Sequence, residues 1–167
     1  DTRERKIDDI DYNSRLDNEL LQSILRVQEM VDNDAGTDLT KIRASYDRVC
    51  DTFKVDIPPE VKIQTNSFNT KEKKIKYRVY EKNSKENVQI LYAHGGGFIM
   101  GGLESHNDIC AEICYETSLR VTAVDYRLSP EHRHPAAFED FLDIYQSLNE
   151  TTPVILVGDS AGGTLVS

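Results

Sequence analysis

The chain has no apolar run of the roughly 18 residues that a membrane-spanning helix needs, so no transmembrane span can be read from it. Positive charge is also short. Twenty Lys and Arg stand against 29 Asp and Glu, a net charge of −9, which argues against a nucleic-acid or anionic-membrane surface built on clustered cations. The single basic cluster, Lys71 to Arg78, reads as a solvated strand edge and turn. Cysteine is sparse and odd in number: Cys50, Cys110 and Cys114 imply no disulfide framework and make a reducing cytoplasm the default location. Cys110 and Cys114 are two ligands where a closed zinc site needs four, and buried packing is their expected role. Internal repeats, low-complexity tracts, a visible signal peptide and an initiator Met are all missing. None of the four histidines, His94, His106, His132 and His134, comes after residue 134.

What is present changes period along the chain. Asp1 to Asn13 is charged and aperiodic, and is expected to be disordered or lightly tethered. Leu16, Leu20, Ile24, Val27 and Val31, widened by Leu21 and Leu25, form a helical stripe that Gly36 closes. Thr37 or Asp38 then caps a second helix with Leu39, Ile42, Tyr46, Val49 and Phe53 on one face, closed by Pro58-Pro59. Beyond Val61, Ile75, Tyr77 and Val79 alternate with polar neighbours, as in a half-exposed strand near an antiparallel edge. Val88–Ala93, Val121–Val124 and Val154–Val157 are continuous apolar runs suited to central parallel strands covered on both faces. Two helices lie between them. Ser105, with Asp108 three residues on, caps the first; Pro135 opens the second, whose buried side is Phe138, Phe141, Leu142, Tyr145 and Leu148. Strands alternating with helices predict an α/β fold.

Two segments carry chemistry. Gly158-Asp159-Ser160-Ala161-Gly162 follows the last apolar strand and precedes a helix-compatible segment. Such a strand–turn–helix context is what a nucleophile elbow requires: the turn strains the serine backbone and lifts its hydroxyl clear of the sheet. The residue after the nucleophile, Ala161, then offers its N–H to a developing oxyanion. His94-Gly95-Gly96-Gly97-Phe98 follows another strand; three glycines leave backbone N–H groups unscreened by side chains, and such fixed donors stabilise an oxyanion by about 3 kcal/mol each. Ser160 needs a base to take its proton. His94 belongs to the Gly-rich loop and is expected to hold its shape. His106 sits near a helix start, and the His132-x-His134 pair reads as surface histidines better than as a metal site. No base is assigned from this chain. Asp159 is not the acid of a triad, since neighbours on a tight turn point apart and that acid must orient a histidine. Asp125-Tyr126-Arg127 and Glu131 are expected to brace the loops by hydrogen bonds and charge pairing.

These segments occur in a familiar order. His94-Gly-Gly-Gly-Phe98, then Asp125-Tyr-Arg-Leu-Ser-Pro-Glu131 with Pro135-Ala-Ala137 and Glu139-Asp140, then Gly158-Asp-Ser-Ala-Gly-Gly163 together resemble the hormone-sensitive-lipase-like branch of the α/β-hydrolases, which includes acetyl esterases and arylacetamide deacetylases. The resemblance is strong from Val88 to Gly163.

It implies a mostly parallel sheet with helices on both faces, here incomplete: residues 1–57 as an N-terminal helical cap segment over the active site, and 58–167 as the first part of the hydrolase core, truncated after the elbow. It implies Ser160 as catalytic nucleophile, Gly96 and Gly97 beside Ala161 as oxyanion donors, and His94 and Gly95 as supports of that loop. The Asp or Glu and the His of the triad follow the serine in this fold and are expected beyond Ser167. The expected activity is hydrolysis of small short-chain acyl esters, acetyl to hexanoyl, with no cofactor and no metal. Two alternatives stay open: amide hydrolysis with the same residues, and a non-catalytic ligand-binding or regulatory protein on the same scaffold.

Overall fold

A computed structural model describes residues 17–31, 35–83, 87–149 and 152–167; the segment 1–13 and Leu16 lie outside the described residues. The elements are α1 (Asn18–Met30), α2 (Leu39–Phe53), β1 (Lys62–Asn69), β2 (Lys74–Glu81), β3 (Gln89–Ala93), α3 (Asn107–Thr117), β4 (Arg120–Asp125), α4 (Ala136–Asn149), β5 (Val154–Gly158) and α5 (Ala161–Leu165).

Both N-terminal helices start at an aspartate whose carboxylate meets otherwise unpaired first-turn amides. Asp17 accepts from Leu20 N–H at 2.8 Å, and Asp38, one of the two expected caps, accepts from Thr40 and Lys41. The stripe of α1 is not buried as its periodicity suggests: none of its residues is buried, and Leu20, Ile24 and Leu25 remain exposed. Helix α2 stops at Phe53, five residues before Pro58.

The strands form one sheet in the order β1-β2-β4-β3-β5. β1 and β2 are an antiparallel hairpin and β2 pairs β4 antiparallel; β4, β3 and β5 are mutually parallel. The described sheet is therefore mixed rather than mostly parallel. β1 gives no clear signal in the sequence because its first four residues are all exposed, which removes the apolar alternation that marks a strand.

Strand alternation sorts the core into two layers. Ile90 and Tyr92 of β3 face one way, with Tyr80, Val121 and Ala123, onto Cys110, Ala111 and Cys114 of α3. Leu91 and Ala93 face the other way, with Ile75 and Val124, onto Phe141 and Ile144 of α4 and against Leu165 and Val166 near α5. Helices thus cover both faces, and both α3 cysteines are completely buried apolar contacts. Coverage stops short of β5, where Ile155 and Leu156 are exposed instead of buried on both faces. On α4 the core positions are Phe141 and Ile144, while Phe138 is exposed. At α3 the cap position is His106, with no side-chain cap bond. Ser105 turns back instead, accepting from Gly102 N–H at 3.0 Å.

The basic cluster is not simply solvated. Lys73, in the β1–β2 turn, pairs with Asp140 and Asp143 of α4, both at 2.9 Å. Asp140, 1% exposed, also receives the Arg127 guanidinium at 2.9 Å and the Arg127 N–H at 3.0 Å. Arg78 spans Thr65, Leu103 O, Asn107 and Glu104. Burial pushes the Asp140 carboxyl up, but the bonds from Arg127 and Lys73 outweigh it and hold the group below the usual carboxylate range. Its contribution is therefore present above the ordinary Asp value and lost as pH falls through the depressed one. Asp140→Ala leaves two cations facing an apolar gap. It should cost about 3 kcal/mol, the low end for breaking a buried pair because both cations reach water; urea denaturation at pH 7 measures this.

Candidate active site

Strands β3 and β5 are adjacent and parallel, with Ala93 opposite Gly158 in the register. The two Gly-rich segments therefore leave the same end of the sheet side by side, where ligands bind in open α/β sheets. The approach is closer than side chains allow. A Cβ on Gly162 would lie 2.0 Å from the Ala93 carbonyl oxygen, and one on Gly158 would lie 2.5 Å from Gly162. The two glycines of the elbow let α5 fold back onto the end of β3.

Ser160 sits between them at φ 49°, ψ −117°, a conformation that costs a non-glycine residue of order 1–3 kcal/mol. The turn is held from beneath: Asp159 O accepts from Gly162 N–H at 2.8 Å and Gly163 N–H at 3.3 Å, and Ser160 O accepts from Thr164 N–H at 3.2 Å. The Ser160 side chain makes no cap bond to α5 and the residue is exposed.

The loop after β3 runs through positive φ at Gly96 (113°), Gly97 (60°), Phe98 (63°) and Gly101 (88°). Gly96 O accepts from both Ile99 and Met100 N–H at 3.1 Å, so the chain closes a tight turn. A Cβ on Gly96 would lie 2.1 Å from Met100 O. Among the described residues no group accepts from the N–H of Gly96, Gly97 or Ala161.

Asp159 ties the two segments together. Its Oδ1 accepts from Gly95 N–H at 2.9 Å and Tyr92 Oη–H at 2.8 Å, and lies 3.4 Å from His106 Nε2. Burial, then this carboxylate, push the Tyr92 hydroxyl pKa upward. His94 is buried and stacks on Tyr126 with ring centres 4.1 Å apart, while Tyr126 Oη donates to His94 O at 2.5 Å. Because Gly95 O can only accept, the 2.7 Å contact assigns the proton to His94 Nδ1. Nε2 is then a bare buried acceptor, without a partner among the described residues. Burial, only partly offset by the Gly95 carbonyl, pushes the His94 pKa down to about 4.

The anticipated bracing network is distributed rather than shared. Tyr126 holds His94, Arg127 holds Asp140, and Glu131 pairs with Arg43 at 2.8 Å. His132 and His134 are exposed and line an apolar cavity with Phe98, Phe138 and Leu165. Among the described residues no three His, Cys, Asp or Glu stand together as a metal site, and no helix is long and apolar enough to cross a membrane.

Known proteins resemble this chain in sequence and in fold. Residues 90–167 match a family model described as the α/β hydrolase fold. The chain is 32% identical over 138 residues to "Esterase LipI" of Mycobacterium tuberculosis, covering 75% of this chain and 43% of that protein. It is 37% identical over 95 residues to "Lipase 2" of Moraxella sp., covering 52% and 22%. An esterase from the bacterial hormone-sensitive lipase family superposes with a TM-score of 0.69 at 27% identity, covering 87% of this chain and 50% of the other. The chain has the α/β-hydrolase fold. Its similarity to these esterases and lipases supports the hormone-sensitive-lipase-like branch, and it spans less than half the length of those two curated relatives.

Three parts of the candidate site are not visible in the sequence. The bridging role of Asp159 depends on Gly95 lying across from it, which spacing does not reveal. Tyr92 and Arg43 carry no motif; alternation along β3 puts Tyr92 on the α3 face, where Asp159 Oδ1 is reached.

The low His94 pKa sets a pH dependence. Folded His94 stays neutral down to about pH 4, whereas the unfolded residue protonates near 6.5. Stability should be undiminished above 6.5 and fall by up to about 3 kcal/mol as pH drops from there to 4. His94→Asn, which keeps an N–H for Gly95 O, should flatten that slope in urea titrations across the window.

Proposed function

We propose that this chain carries the nucleophile and oxyanion donors of a carboxylic-ester hydrolase. The observation that supports it most directly is the strained, exposed Ser160 set beside a loop with unengaged amides, through the parallel β3–β5 pairing. Ser160 Oγ attacks the ester carbonyl as its proton passes to a general base, the histidine that follows the serine in this fold, which then hands the proton to the departing alcohol. The carbonyl oxygen gains charge as the carbon becomes tetrahedral, and the N–H groups of Gly96, Gly97 and Ala161 receive it. Such donors act on the transition state, because the charge they meet is small in the bound ester. Expulsion of the alcohol leaves an acyl-serine, and water releases the acid.

His94 does not serve as the base. Its one free ring nitrogen, Nε2, is buried with no hydroxyl bonded to it among the described residues, and burial holds the ring's pKa down at about 4, so it holds the loop in place, as Gly95 does through Asp159. The substrates proposed are small esters with short acyl chains, and no cofactor enters the scheme. A cytoplasmic location fits three cysteines that all remain free thiols.

Treating the full-length protein with a fluorophosphonate and mapping the adduct by mass spectrometry tests the assignment. The adduct should fall on Ser160, and Ser160→Ala should abolish both labelling and p-nitrophenyl ester turnover. An adduct on Ser105 or Ser129 would refute it.

A further inference from the structure

The oxyanion loop is gripped from outside the core by one residue of α2. Arg43 Nε–H donates to Ile99 O at 2.7 Å, and its Nη2 donates to Ser129 O at 3.1 Å. The same guanidinium meets both Glu131 carboxylate oxygens at 2.8 Å. Ser129 N–H in turn donates to Phe98 O at 2.8 Å. The result is a closed circuit: Phe98 and Ile99, the two residues that follow Gly97, are both fastened to Ser129, one directly and one through Arg43. Ile99 is also the residue whose N–H closes the turn onto Gly96 O. Fixing its carbonyl fixes the peptide planes that aim the Gly96 and Gly97 amides.

We infer that Arg43 is a positioning residue for the oxyanion loop, through which the seating of α2 controls transition-state stabilisation. The inference rests on the ester-hydrolase reading above. Arg43 touches neither substrate nor Ser160; it acts through Ile99 and Ser129. A guanidinium is suited to this because its planar fork directs several N–H groups to fixed places at once, which an ammonium on a flexible stem does not do. Glu131 keeps the fork oriented. The Arg43 hydrogen bonds hold its carboxyl at about 2, so the pair stays charged in any ordinary buffer. Just past the end of α2 the Val55 N–H donates to Asp108 of α3 at 3.1 Å, so losing Arg43 should loosen the loop without releasing the helix.

The test compares Arg43→Lys and Arg43→Gln with Arg48→Gln in the full-length protein. Arg48 lies on the same helix but bonds Met30 O and Ser45, away from the loop. Removing one oxyanion donor outright costs about 10²–10³ in kcat. Misaiming the loop should lower kcat about tenfold or more in both Arg43 variants, with KM within about twofold. An alkylboronic acid, whose serine adduct is tetrahedral, should bind more weakly by the same factor. Arg48→Gln should leave kcat and boronate affinity unchanged. Circular dichroism confirms folding, and the conservative Lys variant guards against collapse of the other. Unchanged kcat in the Arg43 variants, a rise in KM alone, or an equal loss in Arg48→Gln would overturn the inference. Fluorophosphonate labelling separates this from the reading beneath it. If wild-type Ser160 labels but the Arg43 variants keep full kcat, only the role of Arg43 falls. If wild-type Ser160 does not label, both fall.

Discussion

The contact between Gly162 and the Ala93 carbonyl is the constraint on which the site depends. A methyl group at Gly162 would lie 2.0 Å from that oxygen, far inside any permitted distance, so no other residue lets the elbow settle onto the end of β3. Once it settles there, parallel pairing sets the rest. Gly158 stands opposite Ala93. His94 and Asp159 follow at once on the two strands, and the serine and the glycine loop emerge at the same height. Strain at Ser160 follows from the same closeness. The chain must reverse from strand to helix within a residue or two, and only a positive φ achieves this.

Polar ties then hold the two segments at that spacing. Asp159 accepts from the Gly95 amide and the Tyr92 hydroxyl. His94 is locked between Gly95 O and the Tyr126 ring, and Arg43 grips the far side of the loop. Because these partners come from α2, β3, the segment after β4 and the elbow, the loop's shape is set by four parts of the chain. A loop rich in glycine has little conformational preference of its own, and this external bracing supplies what its sequence lacks.

Much of this was legible because it is written in local pattern. The apolar runs at β3, β4 and β5 marked strands, and the glycine spacing around Ser160 marked the elbow; both are short-range signals. The expectations that changed depend on what lies opposite in space. β1 carries no alternation because one stretch of it faces water throughout. The apolar faces of α1 and β5, and Phe138 on α4, looked like core in sequence, yet are exposed among the described residues. Ser105 looked like a helix cap but finds Gly102 nearer. Lys73 looked solvated but meets Asp140, 67 residues away in sequence. Asp159 and Arg43 could not be ranked beforehand for the same reason: their partners are distant in the chain, and only the packed sheet brings them together.

The central claim is that the amides of Gly96, Gly97 and Ala161 converge on one point in front of Ser160. The most direct measurement is a crystal structure of the full-length protein with a phosphonate bonded to Ser160. The account predicts a phosphonyl oxygen about 2.7–3.1 Å from those three nitrogens, the spacing of an oxyanion hole. An oxygen turned to solvent, or held by a side-chain donor while those amides stay unengaged, would contradict it.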